Sequence, residues 1–290
     1  MTTRALALSP ATRRQVRWIL VVAAIVGVII GVQTLVLHLR TDPLADVHAY
    51  YDAGSRLNAG QPLYDQPATT DEAAFYRYPP LLAIAFRPLA QLPFPVAAAI
   101  WEGTLIALFA LTIWRIGGRD PRTWLVVSYL AAPIAWTLAI GQAHMAVTFL
   151  MALASPWAVA LAAQLKLFPA LLAVWWIGRR EWRQLALFAA WVVGLGVLQL
   201  ILEPAGTLAY LSFPDLAQVG NVQNLSLYPI SSYLWIAFVA ALVLIALRLA
   251  PTRWGWIAAV ALSVFATPRL NMYQFTALLA AKAPVREPST

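Results

Sequence analysis

The sequence contains no cysteine, so disulfides and thiol chemistry are excluded, and nothing marks the redox state of its compartment. Charge is scarce, at 11% of residues against 61% hydrophobic, which lies outside the range of soluble proteins. Lysine is reduced to Lys166 and Lys282. Histidine, aspartate and glutamate show no metal-ligand spacing such as HExxH, so no metal ligand and no cofactor is assigned, and metal dependence stays open. Low-complexity tracts, a soluble domain and a convincing internal repeat are also missing. Residues 1–290 read as one membrane domain.

What is abundant is apolar sequence. Trp18–Leu37 is a run of 20 residues without a charge, enough for a bilayer core of about 30 Å. It has no small-residue cleavage site and further apolar runs follow, which favours a first transmembrane helix over a signal peptide. Those runs are Phe94–Trp114, Trp124–Ile140, Ala143–Leu165, Leu167–Ile177, Gln184–Leu202, Ser232–Leu247, Trp254–Pro268 and Leu270–Ala281. Pro79–Leu92 is short for a span and reads as re-entrant. Ser155-Pro156 and Lys166-Leu167-Phe168-Pro169 break 143–177 into three pieces, which one crossing or three would accommodate. The expectation is an all-α polytopic integral membrane protein of about 8–10 helices, with residues 38–80 as an outer loop and 81–282 as the remaining helices.

The net charge of +8 comes mostly from arginines between apolar runs. In a soluble protein it would point to nucleic acid; here it reflects topology and anionic lipid. Clusters at Arg4/Arg13/Arg14/Arg17, Arg115/Arg119/Arg122, Arg179/Arg180/Arg183, Arg248/Arg253 and Lys282/Arg286 place the N-terminus in the cytoplasm by the positive-inside rule. The 38–80 and 203–231 loops then face outward.

Six of the twelve carboxylates, Asp42, Asp46, Asp52, Asp65, Asp71 and Glu72, stand in the first of these loops. Asp42-Pro43 has the chemistry of a helix start. Val47, Tyr50, Gly54 and Leu57 follow at helical spacing, and Asn58-Ala59-Gly60 supplies a stop. An amphipathic helix on the outer membrane surface is expected, with Asp42 as cap, Asp52 paired to Arg56, and Asp46 sharing a face with Tyr50. With the cap already supplied, Asp46 divides evenly between structural and functional readings.

The order Asp46-x-x-x-Tyr50, Ala53-Gly54, Gly60-x-x-x-Tyr64, Tyr78-Pro79-Pro80, Gly141-Gln142, Leu165-Lys166-x-x-Pro169 and Arg179-Arg180-x-Trp182 resembles glycosyltransferase family 87. Asn221–Ser226 and Thr267-Pro268-Arg269 are weaker likenesses. That resemblance implies a GT-C-like helical bundle that uses a polyprenyl-phosphate-linked sugar, most often mannose, and a glycolipid or glycan acceptor in the cell envelope. The implied site is the outer face of a bacterial plasma membrane. Departures are a compressed 143–177 segment, His144 where asparagine is common, and Tyr273 and its neighbours where some relatives carry a histidine pair.

Under this resemblance Asp46 is the general base of an inverting transfer, and Lys166, Arg77 and Arg269 bind the donor phosphate. Tyr50, Tyr64, Tyr78, Gln142 and His144 bind sugar or acceptor. Each has a plainer alternative: snorkelling for Lys166, a lipid or topology contact for Arg269, a helix-end turn for Gln142 and His144. Glu102 is an intramembrane carboxylate with no matching motif. Two rival functions stay open: a transporter using Glu102 and Lys166 as midplane charges, and a non-catalytic relative that binds lipid-linked sugar.

Overall fold

A computed structural model describes residues 9–64, 76–211 and 224–285, except the side chains of residues 10 and 13. Asp65, Asp71, Glu72, Asp215, Asn221, Arg4 and Arg286 lie outside these residues. The described residues are helical and contain no strand.

Helix α1, Pro10–Thr41, starts where Ser9 caps the Thr12 N–H at 3.1 Å and Pro10 takes the first helical position. Its 32 residues rise about 48 Å at 1.5 Å each, longer than a bilayer core. Among the described residues, three further helices are long and apolar enough to cross: α4 (Phe94–Arg115), α10 (Trp182–Leu202) and α12 (Ser232–Leu249). α1, α10 and α12 leave most of their apolar surface outside the protein core, as lipid-facing helices do.

The other apolar runs fold as shorter pieces. Trp124–Ile140 becomes α5 (Pro121–Tyr129) and α6 (Ala131–Ala139), which run alongside α1 in the same direction. The contact is close because Gly27 and Gly31 lie against the backbone of Ser128 and Ala131, and a methyl group at either would collide there. Residues 143–178 form three short segments: α7 (His144–Leu153), α8 (Pro156–Leu165), and a 3-10 turn Phe168–Leu172 leading into α9 (Ala173–Gly178). α7 and α8 form the interior of the bundle, with Met145, Val147, Met151, Ala158, Val159 and Ala162 sealed from solvent. Helix α13 (Gly255–Phe265) and the 3-10 segment Met272–Lys282 complete that core.

The arginine-rich loops meet at one end. Lys282, from the tail cluster, bonds Asp120 at 3.1 Å and Thr123 at 2.8 Å in the 115–122 loop. Gly178, beside Arg179, packs against Leu247 and Ala250 at the foot of α12.

Between α1 and α4 the acidic loop folds as α2 (Ala45–Asn58), then α3 (Pro80–Phe86) and a 3-10 turn Leu89–Gln91. α3 is too short to cross a bilayer. The apolar face of α2, carrying Val47, Tyr50, Ala53 and Leu57, is buried against α3 and its neighbours instead of lying on lipid.

Two local expectations fail here. Asp42 does not cap α2; it closes α1, its carboxylate accepting from His38 Nδ1 at 2.8 Å and Thr41 at 2.5 Å. Leu44, with φ of +56°, makes the corner and precedes α2 instead. Asp52 and Arg56 form no ion pair among the described residues; Asp52 is exposed, where an ion pair gains little.

Candidate functional site

The site forms where the start of α2 docks on the end of α6. Helix starts leave N–H groups and helix ends leave carbonyls without partners. Here the Leu44 and Asp46 N–H groups donate to the Ala139 and Ile140 carbonyls at 3.1 and 3.0 Å. This fixes Asp46 beside the turn Gly141-Gln142. Gly141 has φ of +68°, and a side chain there would run into Val47 on α2 and meet Glu102 Oε1 at 2.6 Å. Trp101 donates to the Gly141 carbonyl at 2.8 Å and holds the turn from α4. Glu102 Oε1 is buried behind it without a hydrogen-bond partner.

Around that junction the polar groups interlock. Tyr78 donates to Asp46 Oδ1 at 2.9 Å, and Tyr50 reaches the same oxygen at 3.3 Å. The Tyr50 hydroxyl also lies 2.7 Å from Gln142 Oε1 and accepts the Ala143 N–H at 3.1 Å. Gln142 Nε2 donates to Tyr78 at 2.9 Å. Tyr50 and Gln142 are almost completely buried, whereas Asp46 and Tyr78 are half-buried and reachable. Tyr78 is aimed by its neighbours: Tyr64 donates to its carbonyl at 2.6 Å, and Tyr76 bonds both the Pro79 carbonyl and the Ala83 N–H as α3 begins.

Lys166 arrives from a distant part of the chain. Pro169 and the extended backbone at Lys166 end α8, which leaves the ammonium over two rings, 5.2 Å from the centre of Tyr78 and 4.8 Å from that of Tyr273. It acts electrostatically on Asp46 yet forms no ion pair with it. Arg77 also acts on Asp46, and Arg77 and Arg269 both act on Tyr273. Two cations, Lys166 and Arg77, therefore act on one carboxylate, and Arg269 acts on the neighbouring Tyr273, an arrangement suited to an anionic ligand.

Burial pushes the Asp46 carboxyl above its ordinary value, while Lys166, the Tyr78 and Tyr50 hydroxyls and Arg77 pull it back down. Burial, with the charge of Asp46 beside it, holds the Tyr78 phenol well above its usual range, so it stays a donor.

The structure thus brings Asp46, Tyr50, Tyr78, Gln142 and Lys166 to one place, with Arg77 in electrostatic reach of Asp46 and Arg269 in reach of Tyr273. Tyr64 stands a layer behind, its hydroxyl spent on Tyr78. His144 is buried on α7 with Nε2 bonded to the Gln274 carbonyl at 3.0 Å, and its ring meets Tyr273 edge-on. Sequence reasoning missed Tyr273 as a site residue. Its one signal was its position where some relatives carry histidines. Among the described residues no group of three His, Cys, Asp or Glu is placed to hold a metal ion.

These features define an all-helical, polytopic membrane protein with a polar, cation-bearing side-chain cluster at one end of its bundle. The sequence model of glycosyltransferase family 87 matches residues 75–283, and the chain belongs to that family. It is 31% identical over 164 residues to the polyprenol-phosphate-mannose-dependent alpha-(1-2)-phosphatidylinositol pentamannoside mannosyltransferase of Mycolicibacterium smegmatis, covering 50% of this chain and 40% of that protein. The protein of the same name from Mycobacterium tuberculosis is 30% identical over 198 residues, covering 59% and 44%. The chain thus spans less than half the length of these relatives. No solved structure matches it.

Proposed function

We propose that the chain is a membrane glycosyltransferase that moves a sugar, by the relatives' names mannose, from a polyprenyl-phosphate donor to a glycolipid or glycan of the cell envelope. The observation that carries this reading is the meeting of Asp46 and Lys166 on Tyr78. The Tyr78 hydroxyl donates to the carboxylate at 2.9 Å and its ring lies 5.2 Å from the ammonium, so a proton acceptor and an unpaired cation flank one side chain without forming an ion pair.

In this mechanism Asp46 accepts the proton of an acceptor hydroxyl as that oxygen attacks the anomeric carbon. The bond from that carbon to the donor phosphate oxygen breaks in the same displacement, which inverts the centre. Polyprenyl phosphate leaves as an anion and needs no general acid. Lys166, helped by Arg77 and Arg269, stabilises the charge that gathers on the phosphate. Tyr78 and Tyr50 aim the Asp46 carboxylate, and Gln142 fixes the two phenols. The elevated basicity of Asp46 suits it to proton removal. The positive-inside rule puts this end of the bundle on the outer face of a bacterial plasma membrane, with the N-terminus in the cytoplasm.

The test supplies purified protein with polyprenyl-phosphate-mannose and phosphatidylinositol mannosides. A mannosylated product of inverted configuration supports the reading. Donor binding without transfer to any acceptor would favour a non-catalytic relative, and donor-independent solute flux would favour a transporter.

A further inference from the structure

At the opposite end of the bundle, α1 and α5 part below their tight contact at Gly27 and enclose an open groove of about 590 Å³. Leu20, Val21, Trp124 and Leu125 form its apolar walls, and Arg17 and Ser128 complete it. The polar groups of the walls are already satisfied. Ser128 donates to the Trp124 carbonyl, the Trp124 indole to the Gly118 carbonyl and Tyr129 to the Leu20 carbonyl, each at 2.8 Å.

Arg17 is the charged side chain of the groove, and among the described residues it is exposed and has no hydrogen-bond or ion-pair partner. Arg14 and Arg122, also exposed, add charge of the same sign nearby. The described carboxylates at this end do not offset it, because Asp120 is bonded to Lys282 and Glu181 to Arg179. A second copy of the chain docking here would have to bring an acid to Arg17, and these two are taken.

We infer that the groove is a binding site for an anionic glycerophospholipid of the leaflet at the N-terminal end of α1, with one acyl chain along the apolar walls and the headgroup phosphate on Arg17. A tail of hydrocarbon and a head of negative charge, aligned with a membrane helix, match the two halves of the groove. The site is separate from the Asp46 cluster, so the inference stands whether or not the chain transfers sugar.

The experiment is native mass spectrometry of the full chain in detergent, titrated with dioleoyl phosphatidylglycerol and, separately, dioleoyl phosphatidylcholine. Wild type is expected to bind one phosphatidylglycerol in preference to phosphatidylcholine. Arg17→Gln is expected to weaken phosphatidylglycerol binding about fivefold, which corresponds to about 1 kcal/mol for one arginine near an anionic surface. Leu20→Trp, which fills the groove without changing charge, should lower binding of both lipids, and Arg253→Gln, in the α12–α13 turn and not among the groove's lining residues, should leave both unchanged. Equal wild-type affinity for the two lipids would overturn the inference. So would a loss in Arg253→Gln as large as in Arg17→Gln, which would mean diffuse attraction, or a dimer that Leu20→Trp dissolves, which would give the groove to a second copy.

Discussion

The Tyr78 hydroxyl donates to Asp46 Oδ1 at 2.9 Å, and the face of the same ring lies 5.2 Å from the Lys166 ammonium. One side chain thus touches both partners of the proposed reaction. It orients the carboxylate through its oxygen and seats the ammonium through its π face.

These two roles separate by mutation. Tyr78→Phe keeps the ring but removes the hydroxyl, so turnover should fall while donor affinity holds. Because that hydroxyl lowers the Asp46 pKa, its loss should move the acidic limb of activity to higher pH. Tyr78→Leu loses both contacts and should impair donor affinity as well. Steady-state kinetics across pH distinguish the two variants.

Activity should depend on Asp46 being ionised. Since burial raises its pKa, the acidic limb should lie above the 3.8 of a free aspartate, with turnover lost as pH falls through the raised value. The stability effect runs the other way. The folded state holds this proton more tightly than the unfolded state, so the contribution is present at low pH and is lost as pH rises from 3.8 through the folded value. Asp46→Asn should therefore be more heat-resistant than wild type at neutral pH, which thermal denaturation in detergent checks.

Lys166→Met should weaken donor use between about 10- and 100-fold, the range for a hydrogen bond to a charged group. The loss should appear mainly in KM for the polyprenyl-phosphate donor. Lys166→Arg keeps the charge but not the compact fit between two rings, and rescue should be partial. An unchanged KM in Lys166→Met would remove Lys166 from the donor site.

Gly141→Ala tests the architecture that aims Asp46. Its positive φ costs a non-glycine residue about 1–3 kcal/mol, before the collision with Val47 is counted. Lower thermal stability and weaker activity are expected together, because Gln142 and the Ala143 N–H are displaced from Tyr50.

Much of this site was legible where chemistry is local. The four-residue spacing of Asp46 and Tyr50 does put both on one helical face, and the Tyr78-Pro79-Pro80 and Gly141-Gln142 turns do converge on it. The failures have physical causes. Asp42 has the residue type of a helix cap, but His38 lies one turn back on α1 and claims the carboxylate first, so the corner falls to Leu44. The apolar stripe of α2 looks the same in sequence whether lipid or α3 covers it. Tyr273 lies more than 100 residues from Lys166, and only the return of the chain through α13 brings its ring beneath that ammonium. The compressed 143–177 segment showed its breaks at Ser155 and Lys166, and α7 and α8 proved to be the core of the bundle.

Whether Asp46 is the base is decided by comparing donor binding with sugar transfer in wild type and Asp46→Asn, using polyprenyl-phosphate-mannose and a phosphatidylinositol mannoside acceptor. Donor affinity should stay within a few-fold of wild type while transfer falls about 10²- to 10⁴-fold, the usual worth of a general base. Transfer by Asp46→Asn at close to the wild-type rate would contradict that role.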